Sequence, residues 1–282
     1  MLNFRGLFRL PEQIHAVDIG AAAIAEKPIY LPLLESGLAH LSAFDGDDRQ
    51  SGHAKEAFGN ETRFYSDFVY DGSVQTAYIA SPQSGMTSLL PPDPAALKFF
   101  NGFTQFGTVH ETVKVQTKTL DSITDLPNID LLKMDVQGAE LTILRNGLTK
   151  LKSCIAIQLE VSFMCLYQNQ PAFGELDSWL REKGFSPHCF LDVKRWSISP
   201  TVFQGDFRIP GNQLLEADIV YIKNPLLLDL FSDAELKKLT AVADQCLKSV
   251  DLCVHLIREL EARGLIGPDG VQKYLHSLKA RE

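Results

Sequence analysis

The chain has 282 residues, 45% hydrophobic and 22% charged, which suits one large domain or a domain with an appendage. A net charge of -8, with no basic run, argues against a nucleic-acid partner, because phosphate binding needs a basic face. The cysteines (Cys154, Cys165, Cys189, Cys246, Cys253) lack CxxC spacing and fall in apolar segments, so reduced thiols are expected rather than disulfides or zinc. No stretch has the length of a signal peptide or a membrane span, so a soluble cytoplasmic protein with no membrane partner is expected.

The first predicted strand is Ile14 to Ala21, "IHAVDIGA", ending on Asp18 and Gly20. A second, Leu38 to Asp45, again ends on a carboxylate. Thr62 to Ser81 reads as β-rich runs around an Asp71-Gly72 turn. Prolines break the loop "SGMTSLLPPDP". "TVKVQTKTLDSI" is β-rich, with Asp121 placed to cap a short helix. "LLKMDVQGAELTILRNG", Leu131 to Gly147, then supplies a buried strand, a tight turn and an amphipathic helix. Cys154 to Phe163 is an apolar run interrupted by Gln158 and Glu160. "FGELDSWLREKGF" is a helix stopped by Gly184, and "EADIVYIKN" a last strand. From Ser232, a helix cap, apolar residues recur at helical spacing (Leu236, Leu239, Val242, Leu256, Leu260) over two or three helices.

This alternation predicts an α/β fold, a doubly wound, mostly parallel sheet covered by helices, with a C-terminal helical tail. The sheet domain is expected over residues 1–228 and the tail over 229–282. The tail's apolar stripe needs a partner surface, either the sheet domain or a second copy in a homodimer.

Ligands of an open parallel sheet sit beyond the carboxyl ends of its strands. Asp18, Asp45 and Asp135 occupy that place. One alone would read as a helix cap; all three together favour a nucleoside site. In Asp18-Ile19-Gly20-Ala21, small residues let backbone approach a ligand. Asp45 can accept both ribose hydroxyls. A dinucleotide would require G-x-G-x-x-G, whereas Ala21, Ala22 and Ala23 follow the single glycine. Acidic strand ends suit a cofactor carrying an amine and a sulfonium, which describes S-adenosylmethionine.

"IDLLKMDVQGAELTILRNG" resembles the hallmark of FkbM-type methyltransferases, a strand ending K-x-D, then E or Q, G-A-E and a helix. "VDIGA" is similar to the family's first motif and "LSAFDGD" to its acidic second strand. "GMTSLLPPD", "TLDSI" and "IQLEVSFMCLYQNQPAF" are similar to later signatures, so the likeness runs from Ile14 to Asn224. "PIYLPL" and Gln137 resemble a subset found beside glycan-modifying enzymes. Two departures are visible: Ala22 and Ala23 replace an asparagine and a second glycine, and Asp45-Gly46 replaces Glu-Pro.

The resemblance implies a Rossmann-like sheet of the class I methyltransferase type with S-adenosylmethionine as cofactor. It places Asp18, Gly20 and Ala21 at the methionine end, Asp45 and Gly46 at the ribose, and Ser66 and Asp67 near adenine. Asp135 would face the cofactor's amine or the reacting centre. Lys133, two residues earlier on the same side of its strand, is either the partner of Asp135 in a structural ion pair or part of the chemistry with it. Glu160 is the remaining candidate base, needed because a hydroxyl acceptor must lose its proton. The expected activity is O-methylation of a hydroxyl on a sugar, glycan or secondary metabolite. The rivals are a nicotinamide-dependent oxidoreductase, against which the missing glycines count, and a catalytically silent binding module. The histidines show no metal-ligand spacing.

Overall fold

The computed structural model describes residues 2–21, 27–46 and 62–279; Ala22 and Ala23 lie outside them. Within these residues a seven-stranded sheet forms the centre. Its strands are β1 (Ile14–Ile19), β2 (Ala39–Phe44), β3 (Arg63–Tyr65) and β4 (Leu131–Met134), followed by β5 (Ala156–Ser162), β6 (Phe185–Trp196) and β7 (Gln213–Lys223). They lie in the order β3-β2-β1-β4-β5-β7-β6. β1 to β5 are mutually parallel, and β7 runs antiparallel to both β5 and β6. This is the doubly wound sheet expected, and its strand order reverses between β1 and β4, where a crevice opens.

Strand periodicity sorts the core into two layers. Ile14 and Ala16 of β1, Leu131 of β4 and Ala156 of β5 face one layer, completed by Leu236, Leu239, Val242 and Leu256 of the tail. Val17, Leu132, Ile157 and Leu159 face the other, with Leu141 and Leu144 of helix Glu140–Arg145 and Leu176 and Leu180 of helix Phe173–Glu182.

The tail forms helices Asp233–Gln245, Val250–Ala262 and Gly270–Lys279. Ser232 caps the first in a reciprocal box with Glu235. Of the two partner surfaces expected, the chain's own sheet covers the apolar stripe. Buried ion pairs fasten it: Arg5 to Asp244 at 2.6 Å and Lys238 to Asp130 at 2.8 Å. Truncation after Asn224 should therefore strip one face of the sheet and strand Asp130, giving aggregated protein in light scattering. A soluble truncated chain with an unchanged unfolding midpoint would contradict this packing.

Three local expectations differ from the structure. The runs flanking Asp71-Gly72 do not pair with each other. Phe68–Val69 pairs parallel to Glu111–Lys118, and Val74–Ile79 pairs antiparallel to that same strand. Asp121 does not cap its turn; Thr119 does, while Asp121 accepts the N–H groups of Thr149 and Lys150. β6 was not anticipated, because this edge strand is interrupted by register shifts and exposes Phe190, Leu191 and Val193 beside charged residues, which blurs its alternation.

Candidate active site

Everything at the site follows from how closely the ends of β1 and β4 approach. Asp135 donates its N–H to the Ile19 carbonyl at 3.1 Å, and the N–H groups of Gly20 and Ala21 both donate to the Phe44 carbonyl at 3.0 Å. Gly20 turns there with φ of 84°, and a Cβ on it would lie 2.0 Å from the Asp135 carbonyl oxygen. Only glycine fits. At the end of β2, Gly46 has the same role against the Phe68 ring, which a Cβ would meet at 2.6 Å.

These turns border a cleft of about 360 Å³ at the switch point. Its β1–β2 side carries Gly20, Asp45, Gly46 and Asp67. Its far side carries Asp135, Gln137, Lys194 and Glu216, under an aromatic wall of Phe103, Phe106 and Trp196. Trp196 is fixed by its indole N–H donating to the Asn101 carbonyl at 2.8 Å and by edge-on contact with Phe103 at 5.2 Å.

Of the residues expected at the site, Gly20, Asp45, Gly46, Asp67 and Asp135 line this cleft. Asp18, Ala21, Ser66, Lys133 and Glu160 are not among its lining residues. Asp18 is 2% exposed and accepts from the Tyr30 hydroxyl at 2.6 Å and from Lys133 at 3.1 Å. Lys133 is thus paired with Asp18, directly across from it in the β1–β4 register, and not with Asp135 as the ion-pair alternative had it. The reason is geometric: Asp135 lies past the strand end, whereas Asp18 shares the lysine's face. Burial works against the lysine's charge, but Asp18 and then Asp135 outweigh it and raise its pKa. Ser66 is exposed, and Asp67 is held by Lys118 at 2.9 Å.

Glu160 lies behind the lining and is tied to it by Gln137. The Gln137 amide donates to Asp135 Oδ1 and to Glu160 Oε2, each at 2.9 Å, and its Oε1 accepts from the Tyr167 hydroxyl at 2.8 Å. Gln137 has φ of 54°, a left-handed conformation rare outside glycine, while its backbone carbonyl accepts from Ser88 at 2.7 Å. Lys194 spans Glu160 at 3.4 Å and Glu216 at 2.8 Å. Burial, then the charges of Asp135 and Glu216, push the Glu160 carboxyl well above the usual range. A carboxyl so placed holds a proton tightly, and once ionised it is a stronger base than a free glutamate.

Gln137, Tyr167, Lys194 and Glu216 were not singled out as site residues from sequence. In the sequence Gln137 stands out only as a family variant. Glu216 and Lys194 belong to β7 and β6, and only the reversed direction of β7 brings its start beside the ends of the parallel strands.

Glu140 ties the turn from beneath, its Oε1 accepting from Val136 and Gly138 at 3.2 Å. Burial outweighs these bonds and lifts its pKa from 4.5 to about 7. Between those values the folded chain holds a proton that the unfolded chain has released. Its contribution is therefore full below about pH 4.5 and lost as pH rises to about 7, by on the order of 1 kcal/mol per unit. Unfolding midpoints of wild type and Glu140→Gln should diverge across that window, with only the wild type losing stability through this group. Parallel pH profiles would show that Glu140 is not protonated in the fold.

The family model of the FkbM methyltransferase domain matches residues 45–187, just over half of the chain. The chain belongs to the FkbM methyltransferase domain family. In this family member the matched span runs from the carboxylate ending β2 to the start of β6. No curated protein matches the sequence. Among solved structures, the magnesium protoporphyrin IX methyltransferase of Synechocystis PCC 6803 with bound SAM is similar at 12% identity and a TM-score of 0.37. That match covers 76% of this chain and 71% of the other. A protein of the NADB-Rossmann superfamily from Streptococcus agalactiae is similar at 15% identity and a TM-score of 0.34, covering 94% of this chain and 90% of the other. Likenesses at these scores add nothing to the family assignment. Among the described residues, no helix is long and apolar enough to cross a membrane.

Proposed function

We propose that this FkbM-domain protein transfers a methyl group from S-adenosylmethionine to a hydroxyl of a sugar, glycan or secondary metabolite, residues 1–228 forming the catalytic domain. The observation that carries this reading is the ring of carboxylates, Asp45, Asp67 and Asp135, around a cleft whose floor is the Gly20 turn. Carboxylates favour a cationic ligand, and the backbone of a glycine turn admits close approach by its methionine end. When bound, the cofactor supplies an activated methyl on its sulfonium, and the protein's task is alignment and exclusion of water.

Asp45 is assigned to the ribose hydroxyls, Asp67 to adenine, and Gly20 to the methionine end, with Ala21 behind it holding the turn to Phe44. Asp135 faces the cofactor amine. The acceptor is assigned to the far side, its ring against Trp196 and Phe103 and its hydroxyl toward Asp135 and Glu160. Glu160, ionised, takes the proton that the hydroxyl must lose as the new C–O bond forms, once the acceptor has displaced the Gln137 amide that covers its Oε2. Lys133 is spent on Asp18, so its role is to hold β1 against β4 rather than to act as base.

Asp45→Ala should weaken S-adenosylmethionine binding by about 1–3 kcal/mol, the worth of charge-assisted hydrogen bonds, with the unfolding midpoint unchanged. Unaltered affinity would reduce Asp45 to a turn residue. The activity is tested by incubating the chain with the cofactor and hydroxylated glycans and metabolites, then locating any added methyl by mass spectrometry and NMR. An O-methyl product is expected. A methyl found only on nitrogen or carbon would overturn the hydroxyl assignment.

A further inference from the structure

A second cleft, of about 320 Å³, opens at the other end of the sheet from the first. It is bordered by Cys154 before β5, by Gly184 and Phe185 at the start of β6, and by Lys223 and Asn224 at the end of β7. Its floor reaches the core at Ile157 and Phe231, 0% and 3% exposed. Its walls include Trp179 and Leu230, and Leu230 is 69% exposed, an apolar surface left facing water. The lining contains Lys152, Lys183 and Lys223 and no carboxylate, in a chain whose net charge is -8. Lys223 is engaged by Glu235 at 2.6 Å. Lys152 and Lys183 are exposed and form no ion pair among the described residues; the Lys183 ammonium lies 5.6 Å from the centre of the Trp179 ring.

We propose that this cleft binds a single-chain anionic amphiphile, with its alkyl chain over Ile157 and Phe231 and its carboxylate at Lys152 and Lys183. Charge complementarity selects the anion: two lysines without counter-charges border an apolar floor, and a cationic or neutral head would leave them unanswered. Depth selects a free amphiphile over a membrane surface. A bilayer would cover the exposed leucines but could not enter a cleft of about 320 Å³, whereas a single inserted chain fills it and covers Leu227 and Leu230, 47% and 69% exposed. The site does not depend on the methyl-transfer reading and lies away from its residues.

The chain has two tryptophans, so Trp196→Phe leaves Trp179 as the reporter inside the second cleft. Decanoate, kept below micelle formation, should change its emission saturably and bind at least about tenfold more tightly than decyltrimethylammonium. Calorimetry on the wild-type chain should give the same order of affinities. In the exposed-site double variant Lys152→Glu/Lys183→Glu the preference for the anion should vanish or reverse. Equal binding of the two amphiphiles, or an anion preference that survives the double variant, would overturn the proposal. So would a Trp179 response to phosphatidylserine-containing phosphatidylcholine vesicles with none to decanoate, which would assign the surface to membrane contact instead.

Discussion

Gly20→Ala is expected to be among the most damaging single-methyl additions in this chain. At φ of 84° an alanine pays about 1–2 kcal/mol for left-handed backbone, and its Cβ would lie 2.0 Å from a backbone oxygen that no rotamer change can move. Separating the ends of β1 and β4 to relieve that clash costs about 1–3 kcal/mol more, by analogy with overpacked cores. It also breaks the Asp135 N–H bond to Ile19 that holds the crevice in register. Urea unfolding should show the combined loss, and the folded fraction should bind S-adenosylmethionine poorly because the cradle itself has shifted. Wild-type stability and affinity in Gly20→Ala would mean that the two strand ends can part without consequence.

Asp18→Ala should be comparably severe by a different route. Asp18 and Lys133 have side chains 3% and 19% exposed, so the lysine loses its counter-charge where water can replace it only in part. The Tyr30 hydroxyl loses its acceptor as well. Breaking a buried pair from one side costs on the order of 3–5 kcal/mol, whereas removing both charges can be nearly neutral. Unfolding should therefore register a large loss for Asp18→Ala and a substantial recovery in Asp18→Ala/Lys133→Met. A single variant within about 1 kcal/mol of wild type, or a double variant no better than the single, would show that Lys133 finds another partner.

The same residues show what could be read from sequence and what could not. The central strands declared themselves because both their faces are buried, and Asp18, Asp45 and Asp135 stood out as charges at the ends of apolar runs. Their positions at the carboxyl ends followed from strand direction alone. Which way each carboxylate points did not: Asp45 and Asp135 border the cleft, while Asp18 turns to Tyr30 and Lys133. Pairing across parallel neighbours depends on register, and no local pattern expresses that. The acceptor side was harder still. Lys194 and Glu216 come from an edge strand and a reversed strand distant in sequence from the hallmark, and Gln137 matters through a left-handed turn that only the fold imposes. Glu160 was legible as an out-of-place carboxylate, but its dependence on Gln137 and Lys194 was not.

The central claim, that the carboxylate-ringed cleft at the β1–β4 switch point is built for S-adenosylmethionine, is tested most directly by calorimetric titration of the full chain. The ligands are the demethylated product, S-adenosylhomocysteine, and NAD in parallel. Saturable binding of S-adenosylhomocysteine, a rise in unfolding temperature with its concentration, and no binding of NAD are the predicted result. NAD bound in preference, or no heat and no thermal shift with S-adenosylhomocysteine at millimolar concentration, would contradict it.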